Sequence, residues 1–375
     1  MPEWTQPDRE FMQQAFDLAS KGRGYVEPNP MVGCLIVRRG RIVGRGFHRR
    51  FGGPHAEVNA LRQAGVNAGG ATAYVSLEPC SHVGKTPPCA DALIHAGVRR
   101  VVVAMRDPNP LVAGRGIRKL RAAGIRVETG LLRAEAAALN APFITFHREH
   151  RPYVILKWAQ SIDGKIATRG GDSKWISSRA SRAKGHALRA RVDAILIGIG
   201  TVIADDPDLT ARLARPRRIA TRVVLDPNLR ISRRAHLVQT ARKTPTLIVT
   251  ASLKKGTRTG GDQKRRSLEC AGCEVITIPL RRRGFDLGRL LEVLHTRGMT
   301  NVMVEGGGHT IGAFIRENLS DEAHIFVAPR LIGGETAPGP LRFPGPALMQ
   351  DLIGMRVIST VPCGSDLWYT VGFRR

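Results

Sequence analysis

Residues 72–91 read TAYVSLEPCSHVGKTPPCAD, and residues 55–61 read HAEVNAL. The first run opens as a strand, Thr72–Leu77, and passes straight into Glu78-Pro79-Cys80. After Cys89 the segment ADALIHAG has helical spacing, and His55 follows Gly53-Pro54 at the start of another helix. Working outward, Pro28-Asn29-Pro30 makes a turn before the apolar strand MVGCLIV (31–37), and RIVGRGFH (41–48) is its hairpin partner. RRVVVAM (99–105) is a further strand, and Phe11, Ala15, Leu18 and Ala19 give an N-terminal helix one buried face. Strands alternating with helices predict an α/β layer on a largely parallel sheet.

His55, Cys80 and Cys89 supply one imidazole and two thiols from two helix starts. Such a donor set suits tetrahedral Zn²⁺ with the fourth position left to water. Glu57 lies two residues beyond His55 on the same first turn, close enough to serve water without being a ligand. Zinc lowers the pKa of its water toward about 7, and a carboxylate there can carry protons to a departing amine. This is the logic of zinc nucleobase deaminases, although eight residues separate the cysteines here where the general signature has two.

Pro142 and the polar run HREHRP (147–152) mark a crossing into a second α/β half, giving domains 1–148 and 149–375. That half opens with the strand PYVILKWA (152–159) and the tight turn Ser161–Lys165, followed by a helix over 177–192. Strands are expected at 193–207, 217–227, 244–251 and 301–305, then a helix at 309–318, a strand within 321–334 and a C-terminal hairpin, roughly eight strands in all. Gly306-Gly307-Gly308, between strand and helix, offers unpaired N–H groups to a pyrophosphate. Gly198-Ile199-Gly200-Thr201 is a second such place, and neither is a Rossmann fingerprint.

At 375 residues the chain suits about two domains of ~100–200 residues each. No apolar run reaches about 18 residues, and the N-terminus lacks the pattern of a signal peptide, so a cytoplasmic protein without membrane contact is expected. Formal charge is +27, and 47 of the 58 basic residues are Arg. Between Arg212 and Arg266 there are sixteen basic residues, two acids and no Phe, Tyr or Trp. Such a field favours phosphorylated metabolites or nucleic acid, and the missing aromatics count against base stacking. The stretch itself is expected to be an exposed loop without a ligand, and Cys270 and Cys273 to be two half-buried thiols beside a strand. The rival reading, an RNA-editing deaminase, shares the zinc site.

Three motifs in the first half resemble the bifunctional riboflavin-biosynthesis deaminase–reductase family: Asn29–Gly33 (NPxVG), Gly46–Glu57 (GxHxxxGxxHAE) and Glu78–Cys89 (EPCxHxGxTPPC). Leu156–Gly164 (LKxAxSxDG), Gly198–Arg212 and Val304–Gly308 (VExGG) look like its reductase half. The resemblance implies a cytidine-deaminase-like α/β/α domain followed by a dihydrofolate-reductase-like α/β domain. It implies that Asn29 and His48 contact the pyrimidine and that Lys85 and Thr86 lie beside the phosphoribosyl group. Ala159, Trp175, Thr201, Asp205 and the run Gly307, Gly308, His309, Thr310, Ile311, Gly312, Ala313 would line NADPH. Ser173, Arg189, Leu209, Arg212 and Glu305 would line the second substrate, with Lys157 facing its ribose and Asp205 nearest the transferred proton. The implied chemistry is deamination of 2,5-diamino-6-(5-phosphoribosylamino)pyrimidin-4(3H)-one, with one zinc ion, and then hydride transfer from NADPH to ribose C1′. A homodimer or homotetramer is the implied assembly.

Overall fold

The structure, a computed structural model, describes residues 3–82, 87–110, 112–251 and 258–374. The chain divides into two compact units, Met1–Arg151 and Pro152–Arg375.

Unit 1 begins with α1 (Gln6–Ser20), whose start is fixed by a capping box between Thr5 and Asp8. Then follow β1 (Gly33–Arg38), β2 (Arg41–Phe47), α2 (Ala56–Ala64), β3 (Thr72–Val75), α3 (Cys89–His95), β4 (Arg100–Val103), α4 (Arg115–Ala122), β5 (Arg126–Thr129), α5 (Arg133–Leu139) and α6 (Ala141–Arg148). The sheet order is β2-β1-β3-β4-β5. Only β3, β4 and β5 run parallel, because β1 is antiparallel to both its neighbours. Ala56 and Ala60 of α2, Leu93 of α3 and Leu120 of α4 fill one face. Met12, Ala15 and Phe16 of α1 and Phe143 of α6 fill the other. The buried stripe of α1 is thus Met12, Ala15, Phe16 and Ala19, turned from the expected one so that Phe11 and Leu18 flank it.

Unit 2 contains β6 (Tyr153–Ser161), α7 (Arg179–Arg189), β7 (Ala194–Gly198), α8 (Ile199–Asp205), β8 (Thr221–Leu225), α9 (His236–Gln239), β9 (Thr246–Thr250), α10 (Arg258–Cys270) and β10 (Glu274–Thr277). It continues with β11 (Leu280–Arg281), β12 (Gly284–Phe285), α11 (Leu287–Thr296), β13 (Asn301–Glu305), α12 (Gly308–Arg316), β14 (Glu322–Ala328), β15 (Met355–Cys363) and β16 (Asp366–Phe373). Nine strands form one sheet, ordered β10-β9-β8-β7-β13-β6-β14-β16-β15, and β11 and β12 form a small ribbon. The sheet is parallel from β10 to β14, and the C-terminal hairpin closes it antiparallel. Leucines of α11 and Ile311 and Phe314 of α12 pack on one face. Leu188 of α7, Val202 of α8, Leu237 of α9 and Leu268 of α10 pack on the other.

Three expectations are corrected here. Residues 193–207 are not one strand: β7 ends at Gly198, and α8 sends Ile199 and Val202, three apart, into the core. The basic stretch is not one exposed loop: the two expected strands lie inside it as β8 and β9, together with α9 and the start of α10. Arg222 is fully buried there, donating to the hydroxyls of Thr246 and Thr240 and to the carbonyls of Leu237 and Thr244. Cys273 belongs to the core and Cys270 is exposed, so the two thiols are not alike.

Candidate active sites

In unit 1 the chemistry collects where β3 ends. The Glu78 carboxylate, buried, accepts the backbone N–H groups of Asp107, Gly114 and Ile117 at 3.2, 2.8 and 3.2 Å. It thereby ties the loop after β4 to the chain just ahead of Cys80. α4 then starts against Pro79, and a Cβ on Gly116 would lie 1.9 Å from the Pro79 carbonyl oxygen. Cys80 is held from the other side as well, where the Cys89 N–H donates to its sulfur at 3.3 Å and the Ala90 N–H to its carbonyl at 3.1 Å.

His55 is the residue that caps α2, and Cys89 is the first residue of α3. His55 Nδ1 lies 3.6 Å from Cys80 Sγ and 3.3 Å from Cys89 Sγ, and all three donor atoms fall within 4.8 Å of one another. Bonds from Cys89 and His55 outweigh burial and pull the Cys80 thiol well below its usual value, while the bond to Cys80 and burial push Cys89 up, so without a metal the pair holds one thiolate, on Cys80. Glu57, one residue into α2, is buried, and its Oε2 has no partner among the described residues. Burial, then the Cys80 charge, push its carboxyl up to about 7. A buried carboxylate with an idle oxygen beside two sulfurs and an imidazole fits a zinc site with room for a reacting water.

Asn29 and His48 meet beside this trio. Asn29 Nδ2 is 3.2 Å from His48 Nε2, and His48 Nδ1 is 3.2 Å from the Pro54 carbonyl. The Pro54 carbonyl only accepts, so Nδ1 carries the proton and Nε2 accepts from the amide. The His48 and His55 rings stand edge to face at 5.1 Å. Lys85 and Thr86 lie outside the described residues. The sequence reading missed Asp107, whose buried carboxyl is pushed up to about 7 by burial and by the charges of Glu78 and Cys80. An acid followed by Pro at a strand's C-terminal end, Asp107-Pro108-Asn109, was the available signal.

In unit 2 the sites sit at the C-terminal ends of parallel strands, the usual place in open α/β sheets. A cavity of about 380 Å³ is lined by Lys157, Ala159, Ser173, Trp175, Arg189 and Arg212, together with Arg182 and His186 and no acidic residue. Substrate and cofactor candidates thus share one chamber. Leu209 lines an adjoining cavity of about 260 Å³ that also meets Arg189 and Arg212. Glu305, at the end of β13, grips Arg189 and lies 3.7 Å from Lys157 Nζ. Burial lowers the Lys157 pKa, against the pull of Glu305.

The neighbouring strands β7 and β13 each pass through glycine, Gly198 at the end of β7 and Gly306-Gly307 after β13, into a helix. A Cβ on Gly198 would lie 2.7 Å from Thr310 Oγ1, and one on Gly306 3.5 Å from Thr201 Oγ1, so the two turns face each other. Within 307–313, Gly307 and His309 are exposed and Ile311 is in the core. Gly308 and Gly312 are covered by the segment 339–343, and Thr310 and Ala313 are half-buried. Asp205 is exposed at the last residue of α8 and does not line the chamber.

A family model for the cytidine and deoxycytidylate deaminase zinc-binding region matches residues 5–105, and one for the RibD C-terminal domain matches residues 152–367. The riboflavin biosynthesis protein RibD of Aquifex aeolicus is 43% identical over 360 residues, 96% of this chain and 97% of that protein. RibD of Escherichia coli is 43% identical over 340 residues, 90% and 92% of the two chains. Among solved structures, Acinetobacter baumannii RibD, form 1, superposes with a TM-score of 0.85 at 37% identity, covering 99% of each chain. A Thermotoga maritima diaminohydroxyphosphoribosylaminopyrimidine deaminase/5-amino-6-(5-phosphoribosylamino)uracil reductase gives 0.83 at 34%, covering 98% of this chain and 99% of that one. Unit 1 has the cytidine-deaminase-like fold and unit 2 the dihydrofolate-reductase-like fold. The chain belongs to the RibD family, the bifunctional deaminase–reductases of riboflavin biosynthesis, which pair a zinc-binding deaminase with a nicotinamide-dependent reductase.

Proposed function

We propose that unit 1 deaminates 2,5-diamino-6-(5-phosphoribosylamino)pyrimidin-4(3H)-one and that unit 2 then reduces the ribose of the product with NADPH. The observation that carries this reading is the acid-free chamber of unit 2, where Lys157, Arg182, Arg189 and Arg212 converge on space for a phosphorylated ligand.

In the first reaction His55, Cys80 and Cys89 would hold zinc, which when bound supplies the Lewis acidity that makes a water nucleophilic near neutral pH. Water replaces the amino group, which leaves as ammonia. Glu57 Oε2 is placed to take the proton of the attacking water, pass it to the ring nitrogen and later protonate the leaving amine. Asn29 and His48 present an amide and an imidazole to the edge of the pyrimidine, and Lys85 and Thr86 are assigned to its phosphoribosyl tail.

In the second reaction NADPH, when bound, would supply the hydride that C1′ of the open-chain imine needs, and one proton must reach the nitrogen. Lys157, ammonium-bearing and inside the chamber, replaces Asp205 as our choice for the group that holds this proton. Arg189, Arg212, Ser173 and Leu209 orient the substrate, and Glu305 fixes Arg189 and Lys157. Ala159, Trp175, Thr201 and the 307–313 turn form the cofactor side. Incubation of the zinc-loaded protein with the diaminopyrimidinone phosphoriboside and NADPH, read by mass spectrometry, tests both halves. Amine-to-carbonyl exchange together with gain of two hydrogens supports the reading; RNA deamination with neither would replace it. NADH reducing as well as NADPH would remove the specific cofactor.

We also assign a second copy of this chain to the outer edge of unit 2. β15 ends the nine-stranded sheet, and it and the segment before it leave Leu348, Met349, Leu352, Ile353, Met355, Val357, Ile358 and Val361 exposed. At ~100 Å² for each side chain these offer roughly 800 Å², the share of one partner in a standard interface. Residues 348–363 carry one Arg and one Asp in a chain of net charge +27, so two copies can meet here with little repulsion. Light scattering should give a dimer that Ile358→Asp dissociates; a wild-type monomer overturns the assignment.

A further inference from the structure

We propose that His324 is a positioning residue of the reductase site, holding Trp368 and through it Phe326, the floor beneath the Lys157 side chain. The proposal rests on the reading of Lys157 given above and goes beyond it by naming what keeps the ammonium in place.

His324 on β14 is 3% exposed and pairs in register with Lys157 on β6, so the two side chains stand on the same face of the sheet, as do Phe326 and Trp368. Trp368 Nε1 donates to His324 Nδ1 at 3.1 Å. An indole N–H only donates, so Nδ1 is the accepting nitrogen and the ring's other nitrogen carries the proton. That nitrogen, Nε2, faces Glu322 Oε1 at 2.9 Å. Despite that distance Nε2 makes no hydrogen bond among the described residues, so the imidazole is held at Nδ1, where Trp368 Nε1 and Thr370 Oγ1 both lie, and it holds the indole. Trp368 in turn stacks on Phe326, with ring centroids 5.6 Å apart and 17° between planes. Lys157 Nζ stands 5.8 Å from the Phe326 centroid. Gly185 of α7 adjoins the same side chain, where a Cβ would be in ordinary contact with Lys157 Cε and Nζ at 3.4 and 3.5 Å.

A lysine has four flexible bonds and loses ~2 kcal/mol of rotamer freedom when ordered. The Phe326 ring on the neighbouring strand and the Gly185 backbone restrict it before any ligand arrives. The ring also keeps water from the stem, so the ammonium is turned toward Glu305 and the chamber. The charged and titratable groups around it are Glu305 on β13, Arg182, His186 and Arg189 of α7 and Arg212 on the chamber wall, and His324 and Glu322 on β14. Lys184 of α7 lies 5.8 Å over the Trp368 ring.

The test uses the full-length zinc-loaded protein, NADPH and the deaminated riboside, with reduction followed across pH and deamination followed in parallel as a check on folding. In His324→Leu, kcat for reduction should fall about tenfold through loss of geometry, with KM changed less than about twofold. Its alkaline limb should move to higher pH, because a better-hydrated ammonium holds its proton longer. His324→Gln, which keeps an acceptor for the indole, should recover most of the rate. A His324→Leu protein with normal deamination and an unchanged reduction profile overturns the proposal. Should that variant not fold, Trp368→Phe, which keeps a plate but lacks the N–H, decides by the same criteria. Lys157→Met separates the two levels. If it reduces normally, the reading of Lys157 fails; if it is inactive while both network variants are normal, only the positioning claim fails.

Discussion

Arg189 closes on Glu305 through two parallel bonds, Nε to Oε1 at 2.7 Å and Nη2 to Oε2 at 2.8 Å, in a place where both side chains are largely withdrawn from water. Burial alone would raise the Glu305 pKa, but Arg189 and then Lys157 overcome it and hold the carboxyl down to about 2. The fork makes the pair bidentate, so a lysine at 189 could not replace it.

Stability of unit 2 should therefore fall in acid. An unfolded glutamate titrates near ~4.3, and the folded one near 2, so the contribution is full above the first value and is lost as pH drops toward the second. In Glu305→Gln that acid-dependent loss should shrink, while at neutral pH the variant should be less stable by about 3–5 kcal/mol because Arg189 is left buried without its partner. Urea unfolding followed by tryptophan fluorescence at neutral and acid pH measures both. Equal acid sensitivity in the two proteins would show that Glu305 is not the group responsible.

The zinc site should separate binding from turnover. Cys89→Ser should lose most of its zinc, measured by metal analysis after dialysis, because one of three closely set donors becomes a poor ligand. Glu57→Gln should keep the metal and lose deamination by about 10²–10⁴-fold, since Oε2, without a hydrogen-bond partner among the described residues, is the atom proposed to carry the protons. Cofactor binding by unit 2 should be unchanged in both.

How far the sequence alone carried these sites depends on where the signal lay. The grouping of His55, Cys80 and Cys89 was legible because such donors are rare residue types, and Cys80 and Cys89 stood between a strand and a helix, as they do in the structure. The buried face of α1 was misplaced because Phe11 and Met12 both satisfy an apolar stripe, and packing against β1 and β3 chose Met12. The strand at 193–207 was overextended because Ile199 and Val202 fit either period in so short a run. Arg222 shows the deeper limit. Nothing in a basic stretch says that one guanidinium will be buried among hydroxyls and carbonyls, because its partners lie 14 to 24 residues away in sequence. The clamp of Glu305 on Arg189 spans 116 residues, and no local pattern could announce it.

Gly116 should prove indispensable to the zinc site without touching it. A methyl there would overlap the Pro79 carbonyl, which is backbone and cannot rotate away, so α4 or the chain bearing Cys80 must move. Gly116→Ala should destabilise unit 1 by about 1–3 kcal/mol and weaken zinc binding, with reduction preserved. Thermal unfolding with and without a chelator measures both. A variant with normal zinc affinity would mean that α4 yields instead of Cys80.

Two neighbouring glycines test the cofactor turn, because the structure gives them opposite surroundings. A Cβ on Gly307 meets nothing within 4 Å, and its backbone, φ −70°, ψ 162°, is one that any residue adopts. A Cβ on Gly308 would lie 2.8 Å from the Gly339 carbonyl oxygen and 3.2 Å from the Arg342 nitrogen, in the segment that also donates Arg342 N–H to the Gly308 carbonyl. Gly308→Ala should therefore lower the thermal stability of unit 2 whatever ligand is present, by pushing that segment off the start of α12. Gly307→Ala should leave stability alone, and any effect it has must come from what fills the open space during turnover. If that space takes the pyrophosphate of NADPH, where close backbone approach is needed, the alanine should weaken NADPH binding about tenfold or more, a cost of about 1.4 kcal/mol. Fluorescence titration with NADPH beside a thermal melt reads both. Normal NADPH affinity in a stable Gly307→Ala protein would move the cofactor away from this turn and toward the Gly198–Thr201 turn that faces it.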